Sequence, residues 1–248
     1  MRPPPLLRLL ESRGIESFTT AEAEGWFEAH GRARVGAELR RLKAQGLLAT
    51  PVRGFHVMIH GHRVRVLRVL DAMLAHLGLR YSVGGRTAAR LHGVAVEEDG
   101  VVRVRLEEAR RSIDLGDERV EFFQLGALRE EDRERRDGRW VSSPHAVLWE
   151  LVVQGSLRGG LELVVPLIRE LAPRADVMEL TLSAAAVPLT CVARLGFILE
   201  RLGYRSEGAM LRPLVKEFFN TRVPLDPHRD VQGARVDDRW RLMVNLDW

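Results

Sequence analysis

Glycine cuts the front quarter of the chain into short pieces, and that punctuation most constrains what it can fold into. Pro5 to Arg13 carries Leu6, Leu9 and Leu10 on one side and is closed by Gly14, in the usual position after a helix end. Thr19 and Glu22, within Phe18-Thr19-Thr20-Ala21-Glu22, have the spacing of a capping box, which starts a second helix running to about Ala29 before His30-Gly31 breaks it. A third helix, about Ala33 to Gln45, sets Val35, Leu39 and Leu42 on one stripe and stops at Gly46. Two short strands, Leu47 to Thr50 and Phe55 to Met58, then flank the turn Pro51-Val52-Arg53-Gly54.

Three helices and a hairpin in that order predict a winged helix-turn-helix over residues 1–60, whose third helix enters the major groove of DNA. Charge agrees with this. Through Arg65 there are eleven Lys and Arg against six acids, whereas the remainder carries 27 basic and 28 acidic groups, so the polyanion-seeking end is the front. Arg32 and Arg34 open the third helix, and Gly36 and Ala37 are small enough to bring its outer face close to base edges. Arg40, Arg41 and Lys43 reach phosphates or guanines from there, and Arg53 sits where a wing meets the DNA backbone or minor groove. The alternative is an ordinary solvated helix face.

Residues 61–248 read as a mixed α+β domain with a helical C-terminal half. A helix from Val64 to Leu77 links the two parts, followed by a strand at Tyr81 to Val83, a short helix at Arg86 to His92, and strands at Val101 to Leu106 and Arg119 to Leu125. The charged mixture between those last two strands reads as loop, and Arg129 to Arg139 as an exposed turn. Ser143 is an N-cap with Pro144 at the first helical position, opening the helix His145 to Val153. Amphipathic runs follow at Leu161 to Leu171, Val177 to Ala185, Leu189 to Leu202 and Ala209 to Asn220, with a closing strand at Trp240 to Leu246. No apolar run approaches the roughly 20 residues of a membrane helix, and Met-Arg-Pro-Pro-Pro lacks the apolar region of a signal peptide, so the expectation is a soluble cytoplasmic protein.

Tyr81 to Asp99 has the outline of a nucleotidyltransferase site, in which a glycine turn holds the triphosphate and paired carboxylates about a dozen residues on hold magnesium. Glu97 and Asp99 have the spacing, but charged Glu98 lies between them and Gly100 follows, as in a solvated turn. No later strand supplies a third carboxylate in an apolar setting, and Gly84-Gly85 lacks the longer P-loop pattern. The pair of glycines then reads as a strand-to-helix turn that needs small residues. His56, His60 and His62 have no nearby carboxylate or cysteine to complete a metal site and read as solvated linker histidines. The single cysteine, Cys191, reads as a core residue. Arg194 reads as a surface or ion-paired arginine, or as one that touches a partner. No catalytic, cofactor or metal residues are expected.

In order, these segments resemble the AbiEi antitoxins, transcriptional regulators of abortive-infection toxin–antitoxin pairs that act in phage defence. The resemblance rests on Phe18 to Glu22 and Leu39 to Phe55 in the front, Tyr81-Ser82-Val83-Gly84-Gly85 through Leu91-His92-Gly93, Ser143-Pro144 with Leu148, and Arg194-Leu195-Gly196-Phe197 to Gly203. It implies that residues 1–60 bind inverted repeats at the protein's own promoter as a repressor. It also implies that residues 61–248 oppose a nucleotidyltransferase-like toxin, directly or indirectly. His145 and Glu150 stand where the family leads one to expect an acid and often an aspartate in the Ser-Pro helix. The residues alone leave two other readings open, a ligand-responsive winged-helix repressor and an active nucleotidyltransferase.

Overall fold

The computed structural model describes residues 5–26, 32–59, 65–218 and 221–248. Its architecture is α+β, in two compact units. The first unit comprises residues 1–80, 99–102 and 110–122, and the second comprises 81–98, 103–109 and 123–248.

In the first unit α1 (Pro5–Arg13) is followed by β1 (Ser17–Thr19), α2 (Thr20–Trp26), α3 (Arg32–Ala44), β2 (Leu48–Val52), β3 (Phe55–Met58) and α4 (Val66–His76). The capping box forms as its spacing predicts. Glu22 N–H donates to Thr19 Oγ1 at 3.1 Å, and Thr19 N–H donates back to Glu22 Oε2 at 2.6 Å. β1 was not expected; it pairs antiparallel with β3, which pairs antiparallel with β2, giving the order β1-β3-β2. Pro51 and Val52 lie inside β2, so the hairpin turns on Arg53 and Gly54, the latter at φ +79°. Leu6 and Leu10 of α1, Phe18 of β1 and the α3 stripe Val35, Leu39 and Leu42 share one core. The expected end of the second helix, Ala29 to Gly31, lies outside the described residues, as do Gly61, His60 and His62.

His56 corrects the expectation of a solvated histidine. It is buried in β3, with Nε2 2.9 Å from Thr20 Oγ1 and Nδ1 2.8 Å from Thr50 Oγ1, so both ring nitrogens are satisfied by hydroxyls.

The second unit begins with β4 (Tyr81–Val83) and α5 (Gly85–Leu91), and β5 (Val101–Leu106) follows. The expected loop before the next strand returns the chain to the first unit and contains β6 (Ile113–Leu115), which forms an antiparallel hairpin there with β7 (Glu118–Phe123). Arg129 to Arg139 is likewise not a simple exposed turn: β8 (Arg133–Arg136) and β9 (Arg139–Ser142) form a hairpin whose turn residues Asp137 and Gly138 take φ of +46° and +78°. Within the second unit the strand order is β5-β4-β9-β8, antiparallel except for the parallel β4–β9 pair.

Helices α6 (Pro144–Leu157), α7 (Val165–Leu171), α8 (Val177–Ser183), α9 (Leu189–Arg201) and α10 (Arg205–Phe218) follow, then β10 (Val223–Pro224), β11 (Arg235–Asp237) and β12 (Leu242–Val244). Nearly every side chain of α6 from His145 to Val152 is buried, the pattern of a helix enclosed on all sides. Cys191 is buried, as expected. Arg194 is buried too, 7% exposed, and donates through Nε and Nη2 to the Pro224 carbonyl at 3.3 and 3.1 Å, so it is neither a surface group nor free for a partner. Among the described residues no helix is long and apolar enough to cross a membrane.

Candidate functional site

Two places have the makings of a site, one in each unit. On α3 the burial of Val35, Leu39 and Leu42 turns the opposite side outward, and Arg34, Ala37, Arg40, Arg41 and Lys43 are all exposed there. Arg32 is the first residue of the helix, and Arg53 is exposed at the β2–β3 turn, its carbonyl accepting a hydrogen bond from His76 Nε2 at 3.0 Å. This face is a cationic surface on a regular helix with two small residues, Gly36 and Ala37, along it.

The second place is the Gly84-Gly85 turn, where β4 becomes α5. It needs glycine for space: a Cβ on Gly84 would lie 2.6 Å from Phe123 Cζ and 2.7 Å from Glu150 Oε2. Gly85 has φ +54°, and a Cβ there would meet the Gln154 amide at 2.5 Å. Glu150, fully buried on α6, accepts the Gly85 N–H through Oε2 at 2.7 Å and the Ser142 hydroxyl through Oε1 at 2.7 Å. Ser142 Oγ in turn lies 2.8 Å from Ser82 Oγ. The glycine-turn amide that would cradle a phosphate in a nucleotide-binding site is taken by the protein's own carboxylate.

Arg105 of β5, 2% exposed, ties this turn to the next layer. Its Nη2 donates to the carbonyls of Leu125 at 2.5 Å and Ala127 at 2.7 Å and lies 3.4 Å from Asp132 Oδ2, while its Nη1 is 3.7 Å from Glu150 Oε1. Burial pushes the Glu150 carboxyl above its ordinary range, against the opposing pull of Arg105, the Gly85 amide and the Ser142 hydroxyl. For Asp132 burial acts upward as well, but His145, Arg105 and Arg129 together outweigh it and hold the carboxyl below its usual value. His145 Nε2 is 3.6 Å from Asp132 Oδ1 and 3.0 Å from the Ser143 hydroxyl. Ser143 therefore takes the N-cap position of α6 without capping it by its side chain.

His92, at the end of α5 in the Leu-His-Gly segment, donates from Nε2 to the Ser142 carbonyl at 2.8 Å, and burial pushes its imidazole below the ordinary value. The cluster thus positions a strand, a glycine turn and two helices. Among the described residues no group of three or more His, Cys, Asp or Glu is arranged to hold a metal ion. Glu97 and Asp99 are exposed, with Asp99 Oδ1 accepting the Val101 N–H at 3.1 Å, as in a turn.

The sequence reading passed over Arg105 and Asp132, which lie in charge-rich segments, and noted Glu150 only as a departure. The signal for Glu150 was available: a lone acid between Trp149 and Leu151 in an otherwise apolar helix has to be buried and partnered.

The second unit is an α+β domain whose buried polar cluster serves its own framework. Residues 81–201, which carry β4 through α9 and the whole cluster, match the family of the AbiEi antitoxin C-terminal domain. The match is to that domain over just under half of the chain, and it bears on the second unit. No curated protein matches the chain. The crystal structure of RV2827C protein from Mycobacterium tuberculosis is similar over 97% of this chain and 92% of that one, at a TM-score of 0.71 and 17% identity, which shows a common fold. The solution structure of the antibiotic-resistance factor ANT(2'')-Ia covers 61% of this chain and 95% of that one at 13% identity, but with a TM-score of 0.31 it carries no structural argument.

Proposed function

We propose that the chain is the antitoxin and autoregulating repressor of a toxin–antitoxin pair, with residues 1–60 acting as a winged helix on double-stranded promoter DNA with inverted repeats. Residues 61–248 counteract a nucleotidyltransferase-like toxin, directly or indirectly. The exposed cationic face of α3 carries the DNA half: Arg34, Arg40, Arg41 and Lys43 stand opposite the buried stripe, and Arg53 stands at the neighbouring hairpin turn. The helix–strand–helix–helix–strand–strand order of the front supports the same reading. Arg32, Arg34, Arg40, Arg41, Lys43 and Arg53 contact phosphates or guanines, and Ala37 leaves room for the bases. In this reading the chain has no catalytic role and uses no cofactor, since its glycine turn is occupied by Glu150.

The test uses the full chain, because α4 belongs by its contacts to the first unit and a cut near residue 60 would divide that unit. Wild type is expected to shift the DNA upstream of its own gene, with affinity falling steeply as salt rises. Arg40→Ala/Arg41→Ala is expected to lose about 1–3 kcal/mol for each residue that reads a base edge. It should still protect cells that express the adjacent gene product. Unchanged gel shifts by the double variant would remove the recognition-helix assignment, and failure of wild type to protect against the adjacent gene product would remove the antitoxin half.

A further inference from the structure

A cavity of about 310 Å³ opens in the second unit, away from the polar cluster. Its lining gathers four arginines from separate elements: Arg201 ends α9, Arg205 begins α10, Arg235 lies on β11 and Arg239 follows that strand. Two acids lie beside them. Glu200 accepts the Trp240 indole N–H through Oε2 at 2.8 Å and pairs through Oε1 with Arg239 Nη2 at 2.8 Å. Asp237 Oδ1 accepts the Trp240 backbone N–H at 2.9 Å. Arg201, Arg205 and Arg235 enter no ion pair among the described residues, and the lining as a whole sets four arginines against the two carboxylates Glu200 and Asp237, a cationic excess.

The walls are built on a close-packed frame. Trp240 is fully buried against Gly196, where any Cβ would collide with its ring. A Cβ on Gly208 would lie 2.6 Å from Glu200 Cγ, so glycine lets α9 and α10 approach closely and fixes the carboxylate that holds both Trp240 and Arg239. Phe197, on the cavity lining, is braced edge-on by Trp248 at 6.2 Å between ring centroids.

We infer that this cavity is a binding site for a small phosphate-bearing ligand, with Arg201, Arg205 and Arg235 receiving its phosphate oxygens. Guanidinium groups match phosphate with paired N–H donors, and convergence from three elements suits an anion of more than one charge. The volume lies at the small end of the about 300–1,000 Å³ of ligand sites, which fits a diphosphate or mononucleotide better than a nucleic-acid strand or an acidic peptide, since those need a continuous groove.

The experiment is titration calorimetry of the full chain with inorganic pyrophosphate and, separately, with ATP. Saturable binding is expected with at least one of them, weakened about tenfold or more in Arg201→Gln/Arg235→Gln. The melting temperature of that variant should equal wild type, because neither arginine has an ion-pair partner to lose. Arg222→Gln, whose guanidinium pairs with Asp238 at 2.8 Å outside the cavity, should bind as wild type does. Saturation by pyrophosphate assigns the site to phosphate alone, and saturation by ATP only assigns it to a nucleotide; either supports the inference. The absence of saturable heat with both ligands overturns it, as does equal affinity in the double variant. It is also overturned if single-stranded DNA or poly-glutamate binds through these arginines while both phosphates fail. The readout is ligand binding and not toxin rescue, so the outcome is separate from that of the antitoxin reading.

Discussion

The second unit buries arginines in its core as well as displaying them, whereas the first unit buries none among its described residues. In the first, Arg34, Arg40 and Arg41 stand exposed on α3 and Arg53 stands on the hairpin turn. In the second, Arg105 and Arg194 are 2% and 7% exposed and direct their donors to the carbonyls of Leu125, Ala127 and Pro224. Arg133 is turned in as well, its guanidinium 4.1 Å from the centre of the Trp140 ring. Buried polar groups differ in the same sense. The first unit's core encloses the imidazole of His56 between two hydroxyls, whereas the second encloses Arg105, Asp132 and Glu150. Regional charge therefore says little about the surface field of a unit until it is known which charges the fold consumes.

The sharpest way to break this contrast is to remove the shared cation. Arg105→Leu leaves Asp132 without its closest buried partner and Glu150 without its cationic neighbour, at a cost of about 3–5 kcal/mol in chemical denaturation. Glu150→Gln should cost less, since burial already favours its neutral form and the amide keeps an acceptor for Gly85 N–H. If Arg105→Leu cost no more than a surface substitution, the buried ions would have no structural weight and the two units would not differ as described.

The imidazole gives the next effect. Burial, then the charges of Lys43 and His76, lower the His56 pKa from 6.5 to about 4. An unfolded chain binds that proton more readily than the folded one, so the full contribution is present above pH 6.5 and is lost as pH falls toward 4. The loss is up to about 3 kcal/mol. His92 in the second unit is lowered in the same direction, so wild type alone does not separate the two. His56→Gln, which can still hydrogen-bond to Thr20 and Thr50, should flatten the stability profile between pH 6.5 and 4. An unchanged slope in that variant would assign the pH dependence to the second unit.

These two effects also show where sequence reading stops. Periodicity and capping located α1 at Pro5–Arg13 and the start of α2, because those signals are local: a leucine stripe, a glycine stop, and Thr19 with Glu22 three residues on. It missed β8 because Arg133-Glu134-Arg135-Arg136 has no apolar residue to alternate. Arg133 and Arg135 lie over the Trp140 ring instead, with Arg135 directly across from that residue in register. Asp132 sits in the run Glu130-Glu131-Asp132-Arg133, and nothing local distinguishes the one acid of the three that is 2% exposed. Its partners Arg105 and His145 lie far along the chain on either side, so only the fold selects it. His56 was misplaced for the same reason, since the threonines that satisfy it come from α2 and β2. The need for small residues at Gly84-Gly85 was legible from the turn, whereas the occupant of the turn, Glu150, was not.

The smallest effect belongs to the acids that first suggest an enzyme. Glu97 and Asp99 are exposed, and Asp99 Oδ1 accepts the Val101 N–H where Gly100 turns at φ +68°. Glu97→Ala/Asp99→Ala should therefore change stability by under about 1 kcal/mol, the range of surface substitutions, and leave DNA binding and toxin protection near wild type. The contrast with Arg105→Leu is the point of the measurement: carboxylates spaced for metal on an exposed turn should matter less than one arginine in the core. Magnesium-dependent incorporation of labelled nucleotide by wild type, lost in the double alanine variant, would reverse that ranking and move the functional centre to the turn. Such an enzyme would need the Gly85 amide released from Glu150, so the same activity should rise in Glu150→Gln, whose weaker acceptor competes less for that N–H. Silence in both assays leaves the glycine turn as framework, held from within by the carboxylate of α6.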